Sequence, residues 1–135
     1  MANYLLDTNH AASLVTIGHP LRRRILQQLE AGDTFAIHIL IVAETLYGIG
    51  ILPRAQQNFA EWARLKSSFA CYVPDQTDAE RAAELQISLR RKGWQLETVD
   101  AFIAVTALRY DLILLTTDHD FQAVPELPKQ NWKTS

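Results

Sequence analysis

The sequence predicts an α/β fold with a central, mostly parallel sheet, and three observations carry that prediction. Short apolar runs, such as Tyr4-Leu5-Leu6 and Thr34-Phe35-Ala36-Ile37, alternate with segments whose apolar residues recur at helical spacing. Such alternation implies βαβ crossovers and parallel strands. Leu112-Ile113-Leu114-Leu115 is apolar throughout, as expected of a central strand covered on both faces. No internal repeat, low-complexity tract or linker-like run interrupts the 135 residues. That length fits a single domain over 1–135 with a real core, burying roughly two-thirds of the unfolded chain's surface.

Taken in order, Tyr4-Leu5-Leu6 reads as the first strand, followed by a helical turn through Ala11, Ala12, Leu14 and Val15 that ends near Gly18. Pro20 opens a second helix, a first-turn position that suits proline. Leu21, Ile25, Leu26 and Leu29 mark its apolar face and Gly32 stops it. Thr34 to Ile37 reads as the second strand. Residues 39 to 50 are apolar almost all round, with Glu44 as the one charge, and predict a helix buried on every side. After Pro53 a long amphipathic helix runs through Phe59, Trp62, Leu65 and Phe69, and Cys71-Tyr72-Val73 reads as the third strand. Thr77 and Glu80 have capping-box spacing and predict the start of a helix through Ala82, Leu85 and Leu89, stopped by Gly93. A further helix is expected from Thr98 to Arg109, then the strand Leu112–Leu115, then a short edge strand between Leu127 and Trp132.

Composition is ordinary for a globular protein, with 48% apolar and 21% charged residues and a net charge of −2. No global basic field announces nucleic acid, although a local patch or bound cations override a mild net charge. The lone Cys71 excludes a disulfide framework within one chain. The first residues lack a basic segment followed by a long apolar one, so no signal peptide is expected. Glu44, Asp100 and Asp111 break the longest apolar stretches, so no membrane span is expected and the protein is placed in the cytoplasm.

In parallel sheets, ligands bind beyond the carboxyl ends of the strands. Asp7 directly follows the first strand and Asp118 follows the most apolar one; if both strands are central, these acids sit side by side. Asp100 lies in the first turn of one apolar helix and Glu44 within another. Each acid alone has an ordinary structural role: Asp7 can cap a helix, Asp100 can serve the helix dipole, and Asp118 can make a turn. Glu44 is harder to place, because a charge buried without a partner is costly and no Lys or Arg lies within a turn of it. Four carboxylates converging at one sheet edge would repel one another unless cations hold them. Oxygen-only ligands favour Mg²⁺ or Mn²⁺. One or two such ions can clamp a phosphodiester and activate water against it.

The motifs Leu6-Asp7-Thr8-Asn9, Val42-Ala43-Glu44-Thr45-Leu46-Tyr47-Gly48-Ile49, Asp100-Ala101-Phe102-Ile103-Ala104 and Leu115-Thr116-Thr117-Asp118-His119-Asp120-Phe121 occur in an order that resembles the PIN-domain ribonucleases, most closely VapC-type toxins. The likeness spans nearly the whole chain. It implies a three-layer α/β/α fold and an acidic metal site of Asp7, Glu44, Asp100 and Asp118 holding Mg²⁺ or Mn²⁺. It implies RNA as substrate, cut by metal-activated water. It also implies a cognate antitoxin bound at a hydrophobic groove in the region of Tyr47, Ile49, Ile51 and Leu52 and the helix of Phe59, Trp62, Leu65 and Phe69, and a homodimer. Thr8, Asn9 and Thr116 match small polar positions that can orient ligands or water. The last motif offers both Asp118 and Asp120; Asp118 lies nearer the strand end and is preferred.

Arg22-Arg23-Arg24 and Arg90-Arg91-Lys92 are the basic clusters available to an RNA backbone, and Trp94 beside the second can stack a base. The competing function is a catalytically silent PIN-like module that binds RNA or protein. A phosphotransfer domain is disfavoured, because Asn9 stands where a second Asp would be wanted, and no Gly-rich dinucleotide motif follows the first strand.

Overall fold

The computed structural model describes residues 1–133. Its strands are β1 (Asn3–Leu6), β2 (Thr34–His38), β3 (Ala70–Tyr72), β4 (Ile113–Leu115) and β5 (Lys129–Gln130). They form one sheet in the order β3-β2-β1-β4-β5, with every neighbouring pair parallel. The helices are α1 (Thr8–Ala12), α2 (Pro20–Glu30), α3 (Ile39–Gly50), α4 (Ala55–Leu65), α5 (Gln76–Arg91) and α6 (Thr98–Arg109). Short 3₁₀ segments follow α1 and α4, and a third occupies His119–Ala123. Among the described residues, no helix is long and apolar enough to cross a membrane.

The first strand in sequence is the central strand in space. Successive strands are added on one side of β1 and then on the other, which leaves a topological switch point between β1 and β4. Leu5, Leu6, Leu114 and Leu115 are fully buried. Consecutive strand residues point to opposite faces, so helices must cover the sheet on both sides, giving the three layers expected. Tyr4, Phe35 and the late Trp132 pack as an aromatic trio, with Tyr4 and Phe35 stacked at 5.0 Å and Trp132 edge-on to both.

Three expectations about helices need correction. α3 is not buried all round: Ile41, Thr45 and Ile49 face the core, while Ala43, Glu44, Tyr47 and Gly48 are exposed. The apolar residues on its outer side are free surface, so burial does not force a partner on Glu44. The helix after β3 starts one residue earlier than Thr77, and its capping box is made by Asp75 and Asp78. Asp75 Oδ1 accepts from the Asp78 N–H and Asp78 Oδ2 from the Asp75 N–H, both at 2.9 Å. Asp78 serves at the third helical position in place of the usual Glu, and Arg109 bonds both carboxylates.

α4 also stops sooner than its apolar pattern suggests, at Leu65, with Phe69 reaching the core from beyond the 3₁₀ segment. Gly50 closes α3 where Phe59 of α4 crosses it; a Cβ there would lie 2.9 Å from the Phe59 ring.

Candidate functional site

Register decides where the site forms. Leu6 of β1 pairs with Leu115 of β4, so Asp7 and Thr116 leave the sheet as neighbours, and the Asp7 N–H donates to the Leu115 carbonyl at 2.9 Å. Asp7 performs two tasks. Its Oδ1 accepts from the Thr8 N–H at 2.9 Å and caps α1, and its Oδ2 accepts from the Thr116 hydroxyl at 2.7 Å. The Thr116 oxygen in turn accepts from the Asp118 N–H at 3.0 Å, so one buried hydroxyl holds both strand-end loops in fixed relation. Asn9 Nδ2 donates to the Thr117 hydroxyl at 2.6 Å and ties the same loops at the surface.

The resulting cleft has a volume of about 220 Å³ and is lined by Asp7, Thr8, Asn9, Glu44, Asp100, Thr117 and Asp118. The four acids singled out in the sequence therefore meet, although they come from β1, α3, α6 and β4. Glu44 reaches the cleft from the exposed face of α3. Asp118 and Asp120 lie side by side. Asp118 Oδ1 accepts from the Asp120 N–H at 2.8 Å, and an oxygen each from Asp100, Asp118 and Asp120 lie within 4.8 Å of one another. Asp100 and Asp118 thus belong both to the cleft and to this tighter trio.

Electrostatics follow from the crowding. Burial and the nearby charges of Asp7 and Asp118 push Asp100 up to about 7. Asp7 is also raised, by burial and by Asp118, against the opposing bonds from Thr116 and Thr8. Glu44 is raised by partial desolvation and by the charges of Asp7 and Glu97. Crowded carboxylates whose proton affinities are all raised fit a site completed by a cation, and the donors are all oxygen. Glu97 was missed in the sequence. It occupies the N-cap position of α6, without a side-chain capping bond, three residues before Asp100, and adds its charge to both Asp100 and Glu44. Its spacing of three from Asp100 on the same helix was the available signal.

The basic clusters divide. Arg22 is not available to an RNA backbone: it is buried, donates to the Leu14 carbonyl at 2.6 Å and pairs with Glu61 at 2.5 Å. Arg23 is exposed but lines a cavity with Gly18, His19 and Glu30, none of which lines the acidic cleft. Arg24 lies over the Trp132 ring at 3.8 Å. Arg90, Arg91 and Lys92 are exposed at the end of α5 and have no ion pair among the described residues.

Comparison with known proteins gives the fold its relatives. The PIN domain family model matches residues 4–127. Ribonuclease VapC2 of Rickettsia felis is 25% identical over 130 residues, 96% of this chain and 97% of that protein. A chain in the crystal structure of VapBC2 from Rickettsia felis bound to a DNA fragment from their promoter superposes with a TM-score of 0.82 at 24% identity, covering 96% of this chain and 98% of that one. For DNA-bound VapBC from Salmonella typhimurium the TM-score is 0.80 at 22% identity, covering 98% and 99% of the two chains. With the family's pattern running through almost every element that carries the cleft, the chain belongs to the PIN-domain family.

Proposed function

We propose that this protein is a divalent-metal-dependent endoribonuclease and the toxin of a toxin–antitoxin pair, its 1–135 span acting as a single PIN-like unit. The observation that carries the reading is the meeting of Asp7, Glu44, Asp100 and Asp118 in one cleft at the switch point of the sheet. The similarity to Ribonuclease VapC2 supports RNA as the substrate.

Asp7, Glu44, Asp100 and Asp118 would hold the cation, Mg²⁺ or Mn²⁺, with Asp120 beside them. Bound there, such an ion neutralises the carboxylates and supplies Lewis acidity for a phosphodiester and an attacking water. The chain's own contribution is positional. Thr116 fixes Asp7 relative to Asp118 through one hydroxyl, so neither loop must reorganise as charge develops. Asn9 and Thr117, already bonded to each other, close the lip of the cleft and present polar groups to a substrate. A bound cation would favour the ionised form of Asp100, and Glu44, whose proton affinity is raised by desolvation and by the charges of Asp7 and Glu97, stands beside it.

The partner surface is the exposed apolar ridge of Tyr47, Ile51, Leu52 and Phe59 with the neighbouring groove of Ile39, Val42, Leu46 and Trp62, about 280 Å³. Relatives of this fold were solved as VapBC complexes, and the same kind of small antitoxin, or a second copy of this chain, suits that surface.

RNA cleavage in Mg²⁺ or Mn²⁺, compared between wild type and Asp7→Ala or Asp100→Ala, tests the reading. Losses on the order of 100-fold or more are expected in both variants. Undiminished cleavage in both would end it, and tight RNA binding without cleavage in any divalent metal would mark a silent binding module instead.

A further inference from the structure

We propose that the cavity between the end of α5 and the acidic cleft is a nucleotide subsite, which takes a base and its phosphate from single-stranded RNA next to the bond to be cut. This rests on the nuclease reading above and adds a binding site to it. The cavity, about 390 Å³, is lined by Gln86, Arg90, Gly93, Trp94, Gln95 and Leu96. That is the size of pockets that hold small ligands, roughly 300–1,000 Å³. Gly93, at φ +82°, reverses the chain between α5 and α6, and a Cβ built on it would meet nothing within 4 Å. The mouth is therefore open.

Trp94 connects the cavity to the acids. Its indole N–H donates to the Asp120 carbonyl at 2.9 Å, and Asp120 contributes a carboxylate to the trio with Asp100 and Asp118. The ring is thus pinned at one edge by the residue that borders the candidate metal position. Trp62 and Trp132 are buried in the core, whereas Trp94 keeps part of its surface in solvent. Trp94 packs against the core on one side and lines the cavity with the rest of its surface, and an aromatic held in this way can stack any base. Gln86 commits its amide nitrogen to the Leu96 carbonyl and the Thr98 hydroxyl, at 2.9 and 3.2 Å, which leaves its oxygen to accept from a base edge.

Charge completes the argument. Arg90 lines the cavity, and Arg91 and Lys92 extend the cationic surface, all unpaired among the described residues. The C-terminal end of a helix favours cations by itself. It does not, however, call for a cavity beside them or for a tryptophan tied to the acidic loop. An RNA strand running across the acidic cleft meets repulsion there and needs cations on the flank. This cluster supplies them on the side where Trp94 can receive a base.

The test titrates the Mg²⁺-loaded protein with a labelled single-stranded RNA hexamer carrying phosphorothioate linkages that slow hydrolysis, read by anisotropy and by tryptophan fluorescence. Wild type is expected to quench on binding. Trp94→Ala and Arg90→Ala should each weaken binding roughly 5- to 100-fold, the range of one base stack or phosphate contact. Trp94→Phe should recover most of the loss. Arg90→Ala should also lower the salt slope by about 0.7. Arg81→Ala, an exposed arginine on the same helix, controls for charge in general. Equal weakening by Arg81→Ala and Arg90→Ala, or unchanged binding in Trp94→Ala, overturns the subsite. If wild type binds the hexamer with these dependences yet cuts no RNA, the nuclease reading fails while the subsite stands.

Discussion

Asp100 sits in the first turn of α6, where the helix dipole favours a carboxylate, and yet burial with the charges of Asp7 and Asp118 pushes it up to about 7. Its ordinary value is 3.8, so between the two pH values the folded, metal-free protein binds more protons than the unfolded chain. Its share of stability is then lost as pH rises through that window. His10 acts in the opposite sense. Burial lowers it from 6.5 to about 4, so stability from this group grows as pH rises through that interval. The informative measurement is therefore a difference. In EDTA, wild type should lose melting temperature relative to Asp100→Asn as pH goes from about 5 to about 7.5. Added Mg²⁺ should raise the wild-type melting temperature more at the higher pH, because the cation displaces the proton. Parallel curves for the two proteins would show that Asp100 does not carry the proton. A second residue-scale expectation concerns Thr116. Thr116→Val keeps the shape but removes the hydroxyl between Asp7 and Asp118, and nuclease rate should fall by about 10- to 100-fold with RNA affinity little changed. Thr116→Ser should restore it.

Helices were the most legible elements, and their ends the least. α6 was readable to the residue, because Val99, Phe102, Ile103 and Val105 lie on a run that no glycine or proline interrupts. α5 was misplaced at its start because two carboxylates, Asp75 and Asp78, replace the usual serine or threonine and glutamate of a capping box. α3 misled because its outer apolar residues face a free surface; composition cannot distinguish a helix covered by its own chain from one left for a partner. The acids themselves were legible from strand ends and apolar helices. The exposure of Glu44 was not, since it depends on how α3 rolls against α1 and α4. Arg22 shows the same limit. In sequence it is one of three arginines in a row, and only packing reveals that it spans from α2 to Glu61 of α4. Bonds from Arg64 and Arg22 hold Glu61 down at about 2. Arg22→Ala leaves the Leu14 carbonyl and Glu61 short of a buried donor. It should cost about 3 kcal/mol in denaturant unfolding, and a change within 0.5 kcal/mol of wild type would refute the role.

At the scale of the whole molecule, the acidic cleft and the apolar ridge share one element, α3, and otherwise draw on different ones. The acidic cleft draws on β1, α3, α6 and β4, whereas the exposed apolar ridge belongs to α3, α4 and the turn between them. Glu44 and Tyr47 share the outer side of α3, three residues apart, so an occupant of the ridge stands within a helical turn of the cleft. Tyr47→Asp with Phe59→Asp should abolish binding of a co-expressed VapB-type antitoxin in pull-downs while leaving RNA cleavage within a few-fold of wild type. Loss of both functions together would mean that the ridge supports the cleft itself. The central place of β1 has a consequence in time. The hydroxyl that orders Asp7 lies 109 residues downstream of it. A ribosome adding 5–20 residues per second therefore takes on the order of ten seconds between the first acid and the group that sets it. During translation the emerging polypeptide holds an unassembled blade, and its edge waits for the strand that carries Thr116.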